Sequence, residues 1–348
     1  MKQAQILAGR MFTLKLRPRR NACATLLVAL LAISTLASVG AGRANVPGTN
    51  NATQNVLTGE WLAEFNRNDT GKVQFTVIRR SAGGGQHNSS NGISLAELQG
   101  LTRQQALGAK TEVSFRLVRE AGTFQCEGTF REGKGAGHWT LTPSQSFISA
   151  MQSRGYDRLS EDDLFSAALF DINIKSIEDL KAAGYDRLTF KQLVEAGIFN
   201  VTGDFAREMK SAGFENLGFK QLVEARIFKV DAQFMKEVQA MGFERQPFKE
   251  LVEMRIFKIT PEFIREMRSL GFENLSLKQL TELRIHSVTQ EFVNGIKAEG
   301  YSSVSPREAV TLKIHGVDGD YIKRVKAKGF NDITLNKLVE LRIHGIIE

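Results

Sequence analysis

The chain has 348 residues, 42% of them apolar and 24% charged, an ordinary globular composition with room for two or more domains. Its formal net charge is +8, but the surplus is local: residues 1–44 carry Lys2, Arg10, Lys15, Arg17, Arg19, Arg20 and Arg43 and no acid. Taking those seven from the 46 basic residues leaves 39 against 38 acids, so the remainder presents no electrostatic footprint for nucleic acid.

The leader comes first. Arg17 to Arg20 form a basic segment, Ala22 to Val39 an apolar stretch, and Val39/Ala41 or Gly42/Ala44 fill the small-residue positions before a cleavage point. This pattern predicts a signal peptide over 1–44, with Met11 a more typical start than Met1. The rival reading is an uncleaved N-terminal anchor, since the 18 apolar or small residues of 22–39 nearly span a bilayer. Either way the bulk of the chain is expected outside the cytoplasm, periplasmic or extracellular, touching membrane only through 22–39. Of two cysteines, Cys23 lies in the leader, so the mature chain carries one thiol and no internal disulfide. Cys126 stands in a strand-like run and reads as a small buried hydrophobe.

Residues 45–57, rich in Asn, Gly and Thr, read as a linker. From there to residue 143 the apolar period is two: Val73, Phe75 and Val77 alternate with polar residues, as do Val113, Phe115 and Leu117. With Gly59–Phe65, the run after Ala121-Gly122 and the run after Gly133–Gly137, this predicts about five antiparallel strands over 58–143. Residues 80–92 read as a flexible loop. Two capping boxes, Ser94 with Glu97 and Thr102 with Gln105, then predict one or two short helices. Trp61 and Trp139 are the expected large core residues. His87 and His138 have no metal-ligand spacing.

From residue 144 a Gly-aromatic pair returns every 29 residues, at Gly155-Tyr156, Gly184-Tyr185, Gly213-Phe214, Gly242-Phe243, Gly271-Phe272, Gly300-Tyr301 and Gly329-Phe330. A fixed period of this length marks stacked supersecondary units. In the fifth unit Thr260 is an N-cap and Pro261 the first helical residue; Phe263, Met267 and Leu270 share a face, and Gly271 ends the helix in the left-handed conformation. Ser276 caps a second helix through about His286. Unit two departs at Ser176-Ile177 and unit four at Gln246-Pro247. The apolar ladders, including Ile198, Ile227, Ile256, Ile285, Ile314 and Ile343 near the end of the second helix, read as core.

Polar ladders run beside them. Lys191/Glu195, Lys220/Glu224, Lys249/Glu253 and Lys278/Glu282 are i, i+4 pairs on a solvated face, each contributing about 0.2–0.5 kcal/mol. Arg226, Arg255, Arg284, Lys313 and Arg342 form a basic ladder with two accounts: cations favoured at a helix C-terminus, or a stripe that grips an acidic or phosphorylated partner. Next to it stand Phe170, Phe199, Phe228, Phe257, His286, His315 and His344. Successive copies lie roughly 9–10 Å apart by helix packing, whereas zinc ligands converge at about 2 Å. The three histidines therefore read as partner-facing or half-buried rather than as a metal site. The chain ends on an unrelieved apolar pattern, and Val339, Ile343, Ile346 and Ile347 are candidates for self-association as a homodimer.

"ELQGL" at Glu97–Leu101, "REAGTF" at Arg119–Phe124, "TPEFIREM" at Thr260–Met267 and "LRIHGI" at Leu341–Ile346 together resemble the extracytoplasmic part of sensor-transducer proteins of the BlaR1/M56 type, whose membrane half is a metallopeptidase. That resemblance implies a sensing or interaction role. This chain has no HExxH, so it carries over no catalytic residue. The fold class expected is α+β: a small antiparallel β domain, then an α-solenoid of seven 29-residue helix-turn-helix repeats over 144–348. No GxSxG, phosphate loop, GxGxxG or metal-ligand spacing is present. The expected function is an exported, non-catalytic binding or scaffold protein of the bacterial envelope with a protein or peptide partner and no cofactor. The alternative is a sensory module whose β domain holds a peptide or small ligand.

Overall fold

A computed structural model describes residues 56–65, 71–80 and 86–347; the leader, nearly all of the 45–57 linker and the side chain of His87 lie outside the described residues. The chain has the α+β layout, a curled antiparallel sheet followed by helices, and divides into two compact units at Asn173/Ile174.

The first unit holds seven strands: β1 (Leu57–Phe65), β2 (Lys72–Arg80), β3 (Gln86–Ser94), β4 (Leu98–Gln99), β5 (Thr111–Arg119), β6 (Gly122–Arg131) and β7 (Lys134–Pro143). They form one sheet in the order β3-β2-β1-β7-β6-β5-β4. Two of them correct the sequence reading. Part of the segment expected to be a flexible loop is β3, paired with β2 from Lys72↔Ser94 to Arg80↔Gln86. It carries Asn and Ser where a half-buried strand shows Val or Phe, so period two is invisible in it. Its hold on β2 is polar as well: Gln74 Nε2 and Thr76 Oγ1 both donate to Ser90 Oγ, at 2.6 and 2.9 Å. The other is β4, two residues long, paired with β5. Between β4 and β5 runs α1 (Arg103–Leu107), where Thr102 and Gln105 form the expected reciprocal box.

The sheet curls until its own aromatics meet. The Phe75 and Phe115 rings, on β2 and β5, lie 6.1 Å apart, although four inter-strand steps of a flat sheet would set those strands about 19 Å apart. Trp61 fills the space between, 6.0 Å from Phe75, 5.2 Å from Phe115 and 5.6 Å from Phe130. Its indole N–H donates to the Glu127 and His138 carbonyls at 3.2 and 3.1 Å. Trp61, Gly137 and Gly128 stand in one row across β1, β7 and β6. The row requires glycine: a Cβ on Gly137 would lie 2.0 Å from the Glu127 carbonyl oxygen, and one on Gly128 would lie 2.8 Å from the Trp61 ring. Trp139 donates in turn to the Glu60 carbonyl at 2.9 Å.

Cys126 is fully buried in this interior, and burial alone pushes its thiol up to about 12. The unfolded chain releases that proton near the ordinary thiol value, about 8.5, while the folded chain holds it. Stability contributed by the protonated thiol is therefore complete below about pH 8.5 and falls as pH rises toward 12, by up to about 1.4 kcal/mol per pH unit. Urea unfolding at pH 8, 9 and 10 checks this: the wild type is expected to lose stability with pH faster than Cys126→Ala, and parallel losses would show that the thiol is not buried.

Two helices close the first unit, α2 (Gln145–Gln152) and α3 (Glu161–Leu169). Both lie in the compact unit that contains the sheet. Phe165 of α3 packs 5.4 Å from Trp139 and 6.0 Å from Phe124. Arg79 of β2 pairs with Glu161 at 3.4 Å and with Asp162, and Arg119 pairs with Glu97 at 2.6 Å and Asp171 at 3.7 Å.

The second unit is helical: α4 (Ile174–Ala182), α5 (Phe190–Phe199), α6 (Gly203–Ser211), α7 (Phe219–Phe228), α8 (Ala232–Ala240), α9 (Phe248–Ile256), α10 (Pro261–Ser269), α11 (Leu277–Ile285), α12 (Gln290–Ala298), α13 (Pro306–His315), α14 (Gly319–Ala327) and α15 (Leu335–Ile343). Odd-numbered helices pack on the next odd one from α5 to α15; α4 packs on α6 and α12 on α14. The local chemistry matches the sequence grammar. Thr202, Asp231, Thr260, Thr289 and Asp318 each cap an even-numbered helix through the side chain. The ends of these helices are left-handed glycines; at Gly213 (φ 99°) the Phe214 N–H reaches the Met209 carbonyl at 3.0 Å, and the Gly213 N–H reaches Lys210. That double bond satisfies carbonyls the helix leaves over. The aromatic after the glycine then passes over the next odd-numbered helix to meet the start of the one after it: Phe214 lies 5.8 Å from Phe248, and the Tyr185 and Tyr301 hydroxyls donate to the Leu217 and Ile333 carbonyls, each at 2.8 Å.

Candidate binding surface

Each member of the basic ladder lies over an aromatic ring of the helix before it. Arg226 stacks on Phe205 and Arg255 on Phe234, both 3.7 Å from the ring centre; Arg284 lies 4.2 Å from Phe263, Lys313 4.5 Å from Phe292 and Arg342 5.0 Å from Tyr321. The rings are buried and the cations half-buried. Two arginines also reach backward: Arg255 Nε donates to the Lys229 carbonyl at 3.1 Å, and Arg284 donates through Nε to Phe257 and through Nη2 to Lys258, both at 3.3 Å. Those carbonyls end the preceding odd-numbered helix, where the helix dipole favours a cation. Burial lowers the pKa of Arg226, opposed by the nearby charges of Glu208 and Asp231. One guanidinium thus ties three helices together, a use the ladder's spacing did not reveal.

The isoleucine ladder corrects a second expectation. Its pattern predicts core, yet Ile198 is 47% exposed, Ile256 37%, Ile285 44%, Ile314 54% and Ile343 58%, and only Ile227 of the six stays half-buried. The odd-numbered helices are apolar on more than one side. Phe248, Leu251, Val252 and Met254 of α9, for example, are all buried, so the interior is already filled when the chain reaches the last turn. The isoleucine there turns outward. Beside it Phe199, Phe228, Phe257, His286 and His315 are half-buried, and His344 is exposed. Among the described residues no group of three or more metal-ligating side chains converges. Of the self-association candidates, Ile343 and Ile346 are exposed while Val339 and Ile347 are buried.

On the same helices Lys249 and Glu253 form their expected i, i+4 pair at 3.8 Å, and burial raises the carboxyl of Glu224 above its ordinary value. Lys191, Lys220, Lys249 and Lys278 are exposed. The surface is thus an apolar column of isoleucine, flanked by half-buried Phe or His and by charges of both signs. No helix of the described residues is long and apolar enough to cross a membrane. Set against known proteins, the chain matches no family model, no curated sequence and no solved structure.

Proposed function

We propose that the protein is a non-catalytic binding scaffold, exported to the bacterial envelope, whose helices form an α-solenoid of 29-residue helix-turn-helix repeats and take an extended peptide along the isoleucine column. The observation that carries this reading is the outward turn of Ile198, Ile256, Ile285, Ile314 and Ile343 at equivalent places on α5, α9, α11, α13 and α15, with Ile227 of α7 half-buried between the first two. A monomeric protein seldom leaves so regular an apolar series in water without a partner for it. The spacing suits one class of ligand. Packed helices lie about 8–10 Å apart, and a polyproline II peptide advances about 9.3 Å in its three-residue turn. Every third side chain of such a peptide would meet one isoleucine.

The basic ladder, turned onto internal rings and carbonyls, serves the array rather than the partner in this reading. Export rests on the leader pattern, and the resemblance to sensor-transducer proteins adds a sensing role at the level of motifs. The alternative, a ligand held by the β domain, has less support, because Trp61, Phe75, Phe115 and Phe130 occupy the interior of the curled sheet.

Fluorescence anisotropy with proline-rich peptides that carry leucine at every third position tests the proposal. The full chain is expected to bind them at least about tenfold better than peptides with leucine at every second position, a gap of about 1.4 kcal/mol. Ile256→Glu with Ile285→Glu should abolish the difference while circular dichroism stays unchanged. Equal weak binding of both peptide classes would remove the column as the site.

A further inference from the structure

At Gln246-Pro247 the helical run departs from its own pattern, and a cleft opens there. Just before each odd-numbered helix stands an aliphatic side chain: Leu188, Leu217, Leu275, Val304 and Ile333 before α5, α7, α11, α13 and α15. Before α9 the residue is Gln246, followed by Pro247, which provides no side-chain cap where Thr189, Ser276, Ser305 and Thr334 do. Gln246 does not fill the apolar volume that leucine occupies elsewhere. Its Nε2 donates to the Glu244 carbonyl at 2.7 Å, so the amide is held against the loop. What remains is a cleft of about 340 Å³, floored by Phe214, Met235, Val238 and Leu251. That volume is at the small end of ligand sites.

The rim is polar and carries one sign of charge. Arg245 lines the cleft, is exposed, and forms no ion pair among the described residues. It holds a left-handed backbone (φ 48°), as Asn274 does before α11, a conformation that costs a side chain like arginine more than it costs asparagine. Gln239 and Gln246 add two amides at the mouth.

We propose that this cleft binds the C-terminal end of a peptide: an apolar last side chain on the Phe214–Leu251 floor, its carboxylate on Arg245, and the preceding peptide group on the two glutamine amides. A planar guanidinium matches a carboxylate in charge and fork geometry, and a primary amide both donates to and accepts from a peptide bond. A fatty acid shares the carboxylate and apolar body but brings no peptide group to the glutamine amides. The site is independent of the isoleucine column, because it lies at the start of α9 and Ile256 lies at the end of that helix.

The test uses the full chain with its methionine methyl groups labelled by carbon-13, the Met235 signal being assigned by Met235→Leu. Acetyl-Ala-Leu with a free carboxylate is expected to shift the Met235 methyl saturably. Its C-terminal amide, and the free acid against Arg245→Ala, should each bind about tenfold more weakly, as expected for loss of a charge-assisted pair. Gln246→Leu restores the aliphatic position, so it should abolish the shift and raise Tm. No shift with the free acid at millimolar concentration overturns the proposal. Equal binding of octanoate overturns it in favour of a fatty-acid site, and a shift that survives Gln246→Leu places the peptide elsewhere.

Discussion

Gly137→Val is expected to cost the first unit more than about 4 kcal/mol, enough to unfold most single domains near room temperature. The new Cβ would lie 2.0 Å from the Glu127 carbonyl oxygen and 2.7 Å from Gly128 Cα. Both are backbone atoms, so no rotamer change relieves the contact and β6 must separate from β7. Trp61 then loses the floor under its indole and both acceptors, Glu127 and His138. Each orphaned buried polar group adds about 1–3 kcal/mol. Gly71→Ala is the matched control. Gly71 sits at φ 91° with nothing within 4 Å of its would-be Cβ, so only backbone strain of about 1–2 kcal/mol applies. Urea unfolding followed by tryptophan fluorescence compares the two, since Trp61 and Trp139 both lie in this unit. A Gly137→Val protein as stable as Gly71→Ala would mean the three-strand row around Trp61 is misplaced.

What the sequence discloses is chemistry confined to a few neighbouring residues. Thr260 with Pro261, Gly213 with Phe214, and Thr102 with Gln105 each specify their own backbone, and the helix ends fall where those residues stand. Alternation in β2 and β5 discloses strands because one face must be dry. β3 hides because it is a polar edge whose pairing is carried by its backbone and by Ser90, which no periodicity records. The isoleucine column hides for the opposite reason. The odd-numbered helices are apolar around so much of their girth that sequence cannot say which apolar residue loses the competition for the interior. The cleft lies between these cases: Gln246-Pro247 is visible as an irregularity, but only packing shows that nothing else fills the space.

The basic ladder provides the second large effect. Phe263→Ala is expected to cost about 3–5 kcal/mol, the range for truncating a buried phenylalanine, and Arg284→Ala about 2.5–4 kcal/mol. The second figure combines a cation over an aromatic face, about 0.5–2 kcal/mol, with two donations to helix-ending carbonyls at about 1 kcal/mol each. Because both act on the same guanidinium, the double variant should be more stable than the two losses summed, with a coupling of about 1 kcal/mol. Arg284→Lys separates the contributions: an ammonium can sit over Phe263 as Lys313 sits over Phe292, but it cannot hold Phe257 and Lys258 together through a planar fork. It should recover roughly half of the loss. A partner-gripping stripe makes the contrary forecast, since charges kept for a ligand would be free of Phe263 in the unbound chain. Arg284→Ala would then leave urea stability unchanged and the cycle would show no coupling. The stacking distances, from 3.7 to 5.0 Å along five successive pairs, weigh against that outcome. A cation that stabilises these helices by this amount is poorly placed to release its ring for a ligand, which is why the proposed function gives recognition to the isoleucines one residue further along each helix.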